Sequence, residues 1–304
     1  MALEVLTYER TTWVNVEKAT LQDLEKLRQT FDFHPLDLED VLSKTEPPKI
    51  DEYENYLFMV LQFPVFHEDQ RLSFPSEIDF FVGANYLVTA HDGTLKPLND
   101  FFRECQESEG ARRRHMGPGP GRLLYGILDR MVDYLFSVLN RVGARIPSIE
   151  ENLFAQDMRL TVEEISLVRR DLIALRHIVK PQIPVVTNLE LRDRPFIQRG
   201  LDVYFGDIAD GFQKAWNLLE DYREVMEGLS DTADSLTNYR INEVMRILTI
   251  ISVVILPLTL LTGIYGMNVP LPLAHTPLSF ALVLLIMLVV AFGMLAYFRR
   301  RGWL

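Results

Sequence analysis

Two long stretches without charge near the C-terminus constrain this chain more than any other feature. Ile247 to Met267 and Leu278 to Phe298 hold no Asp, Glu, Lys or Arg. At about 1.5 Å of rise per residue each crosses a hydrocarbon core of about 30 Å as a helix. Only Asn268 to Pro277 lies between them, so the two spans form a hairpin. Arg299 to Arg301 follow the second span and Arg240 and Arg246 precede the first. The positive-inside rule therefore puts both termini in the cytoplasm, at a plasma (inner) membrane, with Tyr297 and Trp303 suited to its interface. A hairpin buried in a soluble core is the competing reading, and meeting the hydropathy criterion twice in succession argues against it.

The charge distribution sharpens this division. Every acidic residue lies at or before Glu243, and beyond Arg246 only Arg299, Arg300 and Arg301 are charged. With those three set aside, the remaining 28 basic residues face 42 acidic ones, a net charge of −14 on the first 246 residues. Nucleic acid is excluded as a partner, because phosphate binding needs a basic footprint. The single cysteine, Cys105, can form neither an internal disulfide nor a thiolate zinc cluster. Met1 to Arg10 contains Glu4 and Glu9 and no apolar core, so no signal peptide is expected.

Within the acidic body the pattern is α+β with long helices. Helices are expected over Leu21–Phe31 and Pro35–Leu42, a strand over Asn55–Phe63, and an antiparallel hairpin pairing Ile78–Val82 with Tyr86–Ala90. Gly117 to Gly121 breaks any helix and reads as a linker, lacking the Lys-Ser/Thr ending of a phosphate cradle. Helical periodicity follows over Arg122–Asp157, Thr161–Val179, and from about Gly200 through Arg246 without a proline, running into the first span. That continuity predicts a rod of more than 60 residues, on the order of 95 Å, with Pro257 as its kink. The expected domains are residues 1–120 (α/β), 121–246 (helical, with the stalk), 247–298 (spans 247–267 and 278–298, loop 268–277) and a basic tail, 299–304.

One hairpin encloses no aqueous path, so a pore requires several copies around an axis. At about 100° per residue, Asn242, Met245, Thr249, Ser252, Leu256, Thr259 and Gly263 fall within an arc of about 100°. Small and hydroxyl-bearing residues there suit either a lumen or tight helix packing. Catalysis finds no support: the histidines show no HExxH pairing, and neither a GxSxG elbow nor a Walker sequence is present. Arg112–His115 reads as a solvated turn. Glu220, Asp221, Glu224, Glu227, Asp231 and Asp234 on the long helix form either a wet face or a divalent-ion bridge between chains.

The first span ends in Tyr265-Gly266-Met267-Asn268, followed by a short loop, a second span and a basic tail. This arrangement resembles the CorA family of magnesium transport proteins. FDFHPLDLEDV (Phe31–Val41), ENYLF (Glu54–Phe58), NEVMRILTI (Asn242–Ile250), PLTLLTGIYGMN (Pro257–Asn268) and YFRRRGWL (Tyr297–Leu304) agree with it in order.

The resemblance implies a funnel-shaped homopentamer with a cytoplasmic acidic body. Gly266, Met267 and Asn268 would form the entrance. Asn242, Met245, Leu248, Leu256 and Thr259 would line the conduit, beside Thr249 and Ser252 of the wheel, with Leu248 and Leu256 as a hydrophobic constriction. Magnesium would be both cargo and regulator, with cobalt, nickel or zinc as further cargo. Asp231 matches the family's acidic regulatory position. Its partner is expected where this chain has His67-Glu68-Asp69, so Glu68 or Asp69 would substitute. The loop Val269–His275 lacks the carboxylate often found there. Two alternatives stand beside magnesium influx with feedback gating: a ZntB-like zinc transporter, against which GMN rather than GIN argues, and a non-conducting membrane-anchored sensor or scaffold.

Overall fold

The computed structural model describes residues 3–43, 46–153, 158–192, 194, 197, 200–267 and 278–303. Contacts divide the chain into two units, Met1–Ser230 and Asp231–Leu304.

The first unit is built on a six-stranded sheet of β1 (Leu3–Tyr8), β2 (Thr11–Glu17), β3 (Lys49–Glu52), β4 (Tyr56–His67), β5 (Leu72–Gly83) and β6 (Tyr86–His91), in the order β1-β2-β6-β5-β4-β3. Every neighbouring pair is antiparallel except β2 with β6. The expected hairpin is present, with Val82 opposite Leu87.

Helices cover both faces. On one, α1 (Leu21–Thr30) and α2 (Pro35–Asp40) bring Leu24, Leu27 and Leu38 onto Val14, Phe58, Val60 and Phe81. A capping box starts α1: Thr20 Oγ1 accepts from Asp23 N at 3.3 Å, and Thr20 N donates to Asp23 Oδ2 at 3.2 Å. On the other face lie α3 (Lys96–Glu107), α5 (Pro120–Gly143) and α7 (Met158–Val179); Trp13 of β2 meets Phe102 of α3 edge-on, with ring centroids 4.8 Å apart. A sheet covered twice has no wet face, which is why YLFMVLQF in β4 is one continuous buried run rather than an alternating one.

Between α3 and α5, Arg112–His115 lies in a short helix, α4 (Glu109–His115), rather than the expected solvated turn. Arg112 Nη1 donates to the Cys105 and Gln106 carbonyls at 2.9 and 2.8 Å, using its charge on the C-terminal end of α3. Gly119, at φ 125°, then starts α5 in a backbone region that glycine alone tolerates well. The helix expected over Arg122–Asp157 is two: α5 stops at Gly143 and α6 (Ile146–Asn152) begins beyond it. Pro147 in the first turn of α6 has no N–H to continue the ladder. After α7 a 3₁₀ turn (Lys180–Gln182) leads into α8 (Ile183–Leu191), and Gln182, fully buried, accepts from Gln62 N of β4 at 3.1 Å.

Helix α9 runs from Asp202 to Tyr265. In the first unit it buries Phe205, Ile208, Phe212, Ala215, Leu219 and Met226, the three-to-four spacing of one helical face. Its residues from Asp231 onward, with α10 (Ser279–Arg300), make up the second unit.

A buried polar chain crosses the first unit: Trp13 Nε1 donates to Thr89 Oγ1 (3.0 Å), which donates to Asn15 Oδ1 (2.8 Å), 3.0 Å from His91 Nε2. Gly93 N donates to His91 Nδ1 at 3.0 Å, so the neutral ring donates through Nε2. Burial holds His91 below its ordinary value of 6.5. The unfolded chain therefore binds this proton first, and stability present above about pH 6.5 declines as pH falls below it. His91→Gln should flatten that decline in the full chain in detergent, read by near-UV circular dichroism of its tryptophans; an unchanged slope would remove His91 from the acid transition.

Candidate ion pathway

The second unit contains two helices whose composition has no use for water. Each carries an apolar stretch long enough to cross a membrane, yet only 6% of that stretch in α9 and none in α10 is buried within the protein. A core helix of similar composition would be mostly covered, so these surfaces require an apolar medium around them.

Exposure is not uniform around either helix. Between Asn242 and Met267 every described residue is exposed except Ile250, Val254, Pro257, Leu258 and Leu261. On α10 the less exposed residues are Val283, Met287, Val290, Ala291, Met294 and Phe298. Each set recurs at three and four residues, a single stripe, and among the described residues the second unit has no other helix to shield them. Asn242, Met245, Leu248, Thr249, Ser252, Leu256 and Thr259 are all exposed. At about 100° per residue their centre lies roughly 160° around α9 from the covered stripe. The hydroxyl-bearing face thus points away from the hairpin contact, so packing within one hairpin does not account for it.

The threonines on that face have a defined polarity. Thr249 Oγ1 donates to the Met245 carbonyl at 2.7 Å and Thr259 Oγ1 to the Ile255 carbonyl at 3.0 Å. Each hydroxyl proton is spent on the backbone, leaving oxygen lone pairs outward as acceptors. Pro257 has no N–H for the Val253 carbonyl, so one further acceptor is released in mid-helix. Waters bound to a cation donate outward, and acceptors without competing donors suit them.

At the end of α9, Gly266 N donates to the Thr262 carbonyl at 2.8 Å and Met267 N to Ile264 at 3.3 Å, with both residues exposed. Asn268 and the loop to Pro277 lie outside the described residues. Asp231 is exposed in the second unit; Glu68 and Asp69 are exposed in the β4–β5 turn of the first. Among the described residues no three His, Cys, Asp or Glu side chains group so as to hold a metal ion. Part of the acidic series on α9 is neutralised: Glu220 pairs with Arg176 at 2.8 Å and Glu227 with Arg223 at 2.6 Å.

Two of the sequence motifs meet in space for a structural purpose. Tyr56, from ENYLF, donates to Asp37 Oδ2 at 2.7 Å and accepts from His34 N at 2.8 Å, both from HPLDLED; Tyr53 adds a bond to Asp37 Oδ1 at 2.9 Å. Desolvation raises the Asp37 carboxyl, and it pushes the Tyr53 hydroxyl up to about 12. These residues fasten α2 to the sheet and lie outside the ion pathway. In the sequence they are only marks of resemblance, because nothing in their spacing announces a contact made through Tyr56.

An α/β unit, a long helix and two apolar helices long enough to cross a membrane define the architecture of a membrane-embedded protein. The profile described as CorA-like Mg2+ transporter protein matches residues 8–300. The cobalt/magnesium transport protein CorA of Thermotoga maritima is 29% identical over 96% of this chain and 83% of its own length. The solved CorA magnesium transporter of Methanocaldococcus jannaschii superposes with a TM-score of 0.87 at 26% identity, covering 98% of this chain and 94% of that one. A zinc transport protein ZntB of Pectobacterium carotovorum is 26% identical over 74% of this chain and 67% of its own. The chain belongs to the CorA family of divalent-cation transporters.

Cys105 makes the stripe accessible to experiment. It is fully buried, and burial pushes its thiol up to about 11, so the native chain is silent to aqueous thiol reagents near neutral pH. Cysteines introduced at Met245 and Thr259 should react with a charged methanethiosulfonate at least roughly tenfold faster than cysteines at Leu258 and Leu261, since rate follows access. Equal rates at the two sets would remove the distinction between the faces.

Proposed function

We propose that this chain assembles as a funnel-shaped homopentamer that conducts Mg2+ into the cell, with Co2+, Ni2+ or Zn2+ as weaker cargo. Residues 1–246 and the tail 299–304 face the cytoplasm. The observation that carries this reading is the stripe of Asn242, Met245, Thr249, Ser252, Leu256 and Thr259 turned away from the covered face of the same helix. Five such stripes around an axis make a conduit with acceptors and no fixed charge.

Mg2+ holds its water tightly and demands octahedral geometry at about 2.0–2.1 Å, so stripping the shell is costly. The Asn268 amide oxygens, with the Gly266 and Met267 carbonyls, accept hydrogen bonds from that shell at the entrance. Rings of Leu248 and Leu256 close the path by dewetting when it narrows. The membrane potential supplies about 2.3 kcal/mol per charge per 100 mV, and about 4.6 kcal/mol for a divalent ion.

Feedback rests on Asp231 of one subunit and Glu68 or Asp69 of the next. A bound ion there screens carboxylates that otherwise repel across the interface. The similarity to a zinc transport protein keeps Zn2+ transport as the second reading.

In proteoliposomes under an inside-negative potential, the chain should take up Mg2+, and Asn268→Ala should cut that uptake by at least about tenfold, the equivalent of losing 1.4 kcal/mol from the limiting step. Uptake of Zn2+ alone would select the zinc reading, and no flux of any divalent ion the scaffold reading. Asp231→Ala should raise the internal Mg2+ concentration at which uptake stops; closure at the parental concentration would remove Asp231 from regulation.

A further inference from the structure

A cavity of about 250 Å3 opens beside the ends of β5 and β6 in the first unit, lined by Lys18, Ser76, Glu77, Asp79, His91 and Asp92 among others. Glu77 and Asp79 are two residues apart on one strand and so share a face. Asp79 is 4% exposed, and its Oδ1 has no hydrogen-bond partner. Asp92, by contrast, is anchored through Oδ1 by Ser76 Oγ at 3.0 Å and by Thr94 N and Oγ1 at 2.9 and 2.7 Å.

Among the described residues no cationic side chain pairs with Glu77 or Asp79. Lys49 is engaged by Asp40 at 2.5 Å and Asp51 at 3.6 Å, and Lys18 lies 3.5 Å from Glu17. His91 spends both ring nitrogens on Asn15 and Gly93, leaving it neither a cation nor a free ligand. Glu77 Oε2 accepts from Glu46 N at 2.6 Å, and the hydrogen bond between the two carboxyl groups needs a proton. Burying an acceptor without a donor is costly, and native structures pair such atoms with a ligand or water.

We propose that this cavity takes a divalent cation with its water shell, held by Asp79 and Glu77 inside and Asp92 at the rim. Since no three such groups converge on a bare ion, the contacts run through bound water. Six waters at about 30 Å3 each occupy roughly 180 Å3, which the cavity accommodates. A water polarised by the ion gives Asp79 Oδ1 the donor it lacks, and two charges offset those of the carboxylates. The site is independent of the pore and of Asp231, being formed entirely within the first unit.

Mn2+ provides the probe, because electron paramagnetic resonance counts the free ion directly. The full chain in detergent should bind about one fewer Mn2+ per subunit as Asp79→Asn, in both the native and the Asp231→Ala background, with millimolar Mg2+ competing for the lost site. Near-UV circular dichroism verifies that the variant folds, and Glu77→Gln, expected to lower the count likewise, decides the matter if it does not. Unchanged Mn2+ stoichiometry in the folded variants would overturn the proposal and leave a protonated carboxyl pair alone. Loss of a site in Asp231→Ala that is not deepened by Asp79→Asn would do the same, while leaving the regulatory reading intact.

Discussion

The structure depends on how one helix divides its surface. From Asn242 to Tyr265, α9 has to satisfy hydrocarbon, a neighbouring helix and, in a transporter, water, and it has three arcs to do so. Aliphatic residues such as Ile251, Ile255 and Leu260 remain exposed because the surrounding medium is as apolar as they are. Ile250, Pro257 and Leu261 occupy the covered arc. Hydroxyls and an amide occupy the third. An unsatisfied polar group in hydrocarbon costs several kcal/mol, so a hydroxyl there must either bond to its own helix or meet water. Thr249 and Thr259 bond to their helix with the proton and keep the oxygen. That tolerates lipid before assembly and suits the hydrated cation of the proposed function afterwards.

The first unit answers to a different constraint. Its sheet is buried on both faces, and the expense falls on polar groups that cannot escape: Asn15, Asp37, Asp171, His91 and Gln182 are all buried. Most are fixed by a specific partner, as Asp37 is by two tyrosines and Gln182 by the β4 backbone. The motifs by which the family resemblance is recognised in the N-terminal half are of this kind. They fix the geometry of α2 on the sheet, whereas the resemblance in the C-terminal half rests on residues of the proposed ion pathway.

What could be read from sequence follows the same division. Lipid imposes a one-dimensional rule, so both spans, the hairpin and the hydroxyl stripe were legible from hydropathy and spacing. Strands β1 and β2 were not, because β2 is a strand by virtue of pairing in parallel with β6 some seventy residues later, as Val14 with Val88 records. The break between α5 and α6 was written in Pro147 but hidden by apolar periodicity on either side. Leu248 sat just outside the arc on the wheel; in the structure it is 52% exposed, on the open side with its neighbours. Asn268 is outside the described residues, and its proposed place at the entrance rests on the family resemblance.

The placement of charge completes the physical account. Carboxylates end at Glu243, just before the span, although a cation pathway lined with them would attract its cargo more strongly. Attraction is not the limiting difficulty for Mg2+. A carboxylate in the conduit competes directly with bound water and creates a deep well from which a divalent ion leaves slowly, whereas conduction requires binding strong enough to enter and weak enough to leave. Neutral acceptors such as a threonine oxygen engage the shell without displacing it. The acidic residues gather instead in the body, where the proposed feedback calls for residence rather than passage, so that a slowly released ion reports its concentration. A strongly bound ion and a rapidly conducted one call for opposite chemistry, and the proposed function places the two in different parts of this sequence.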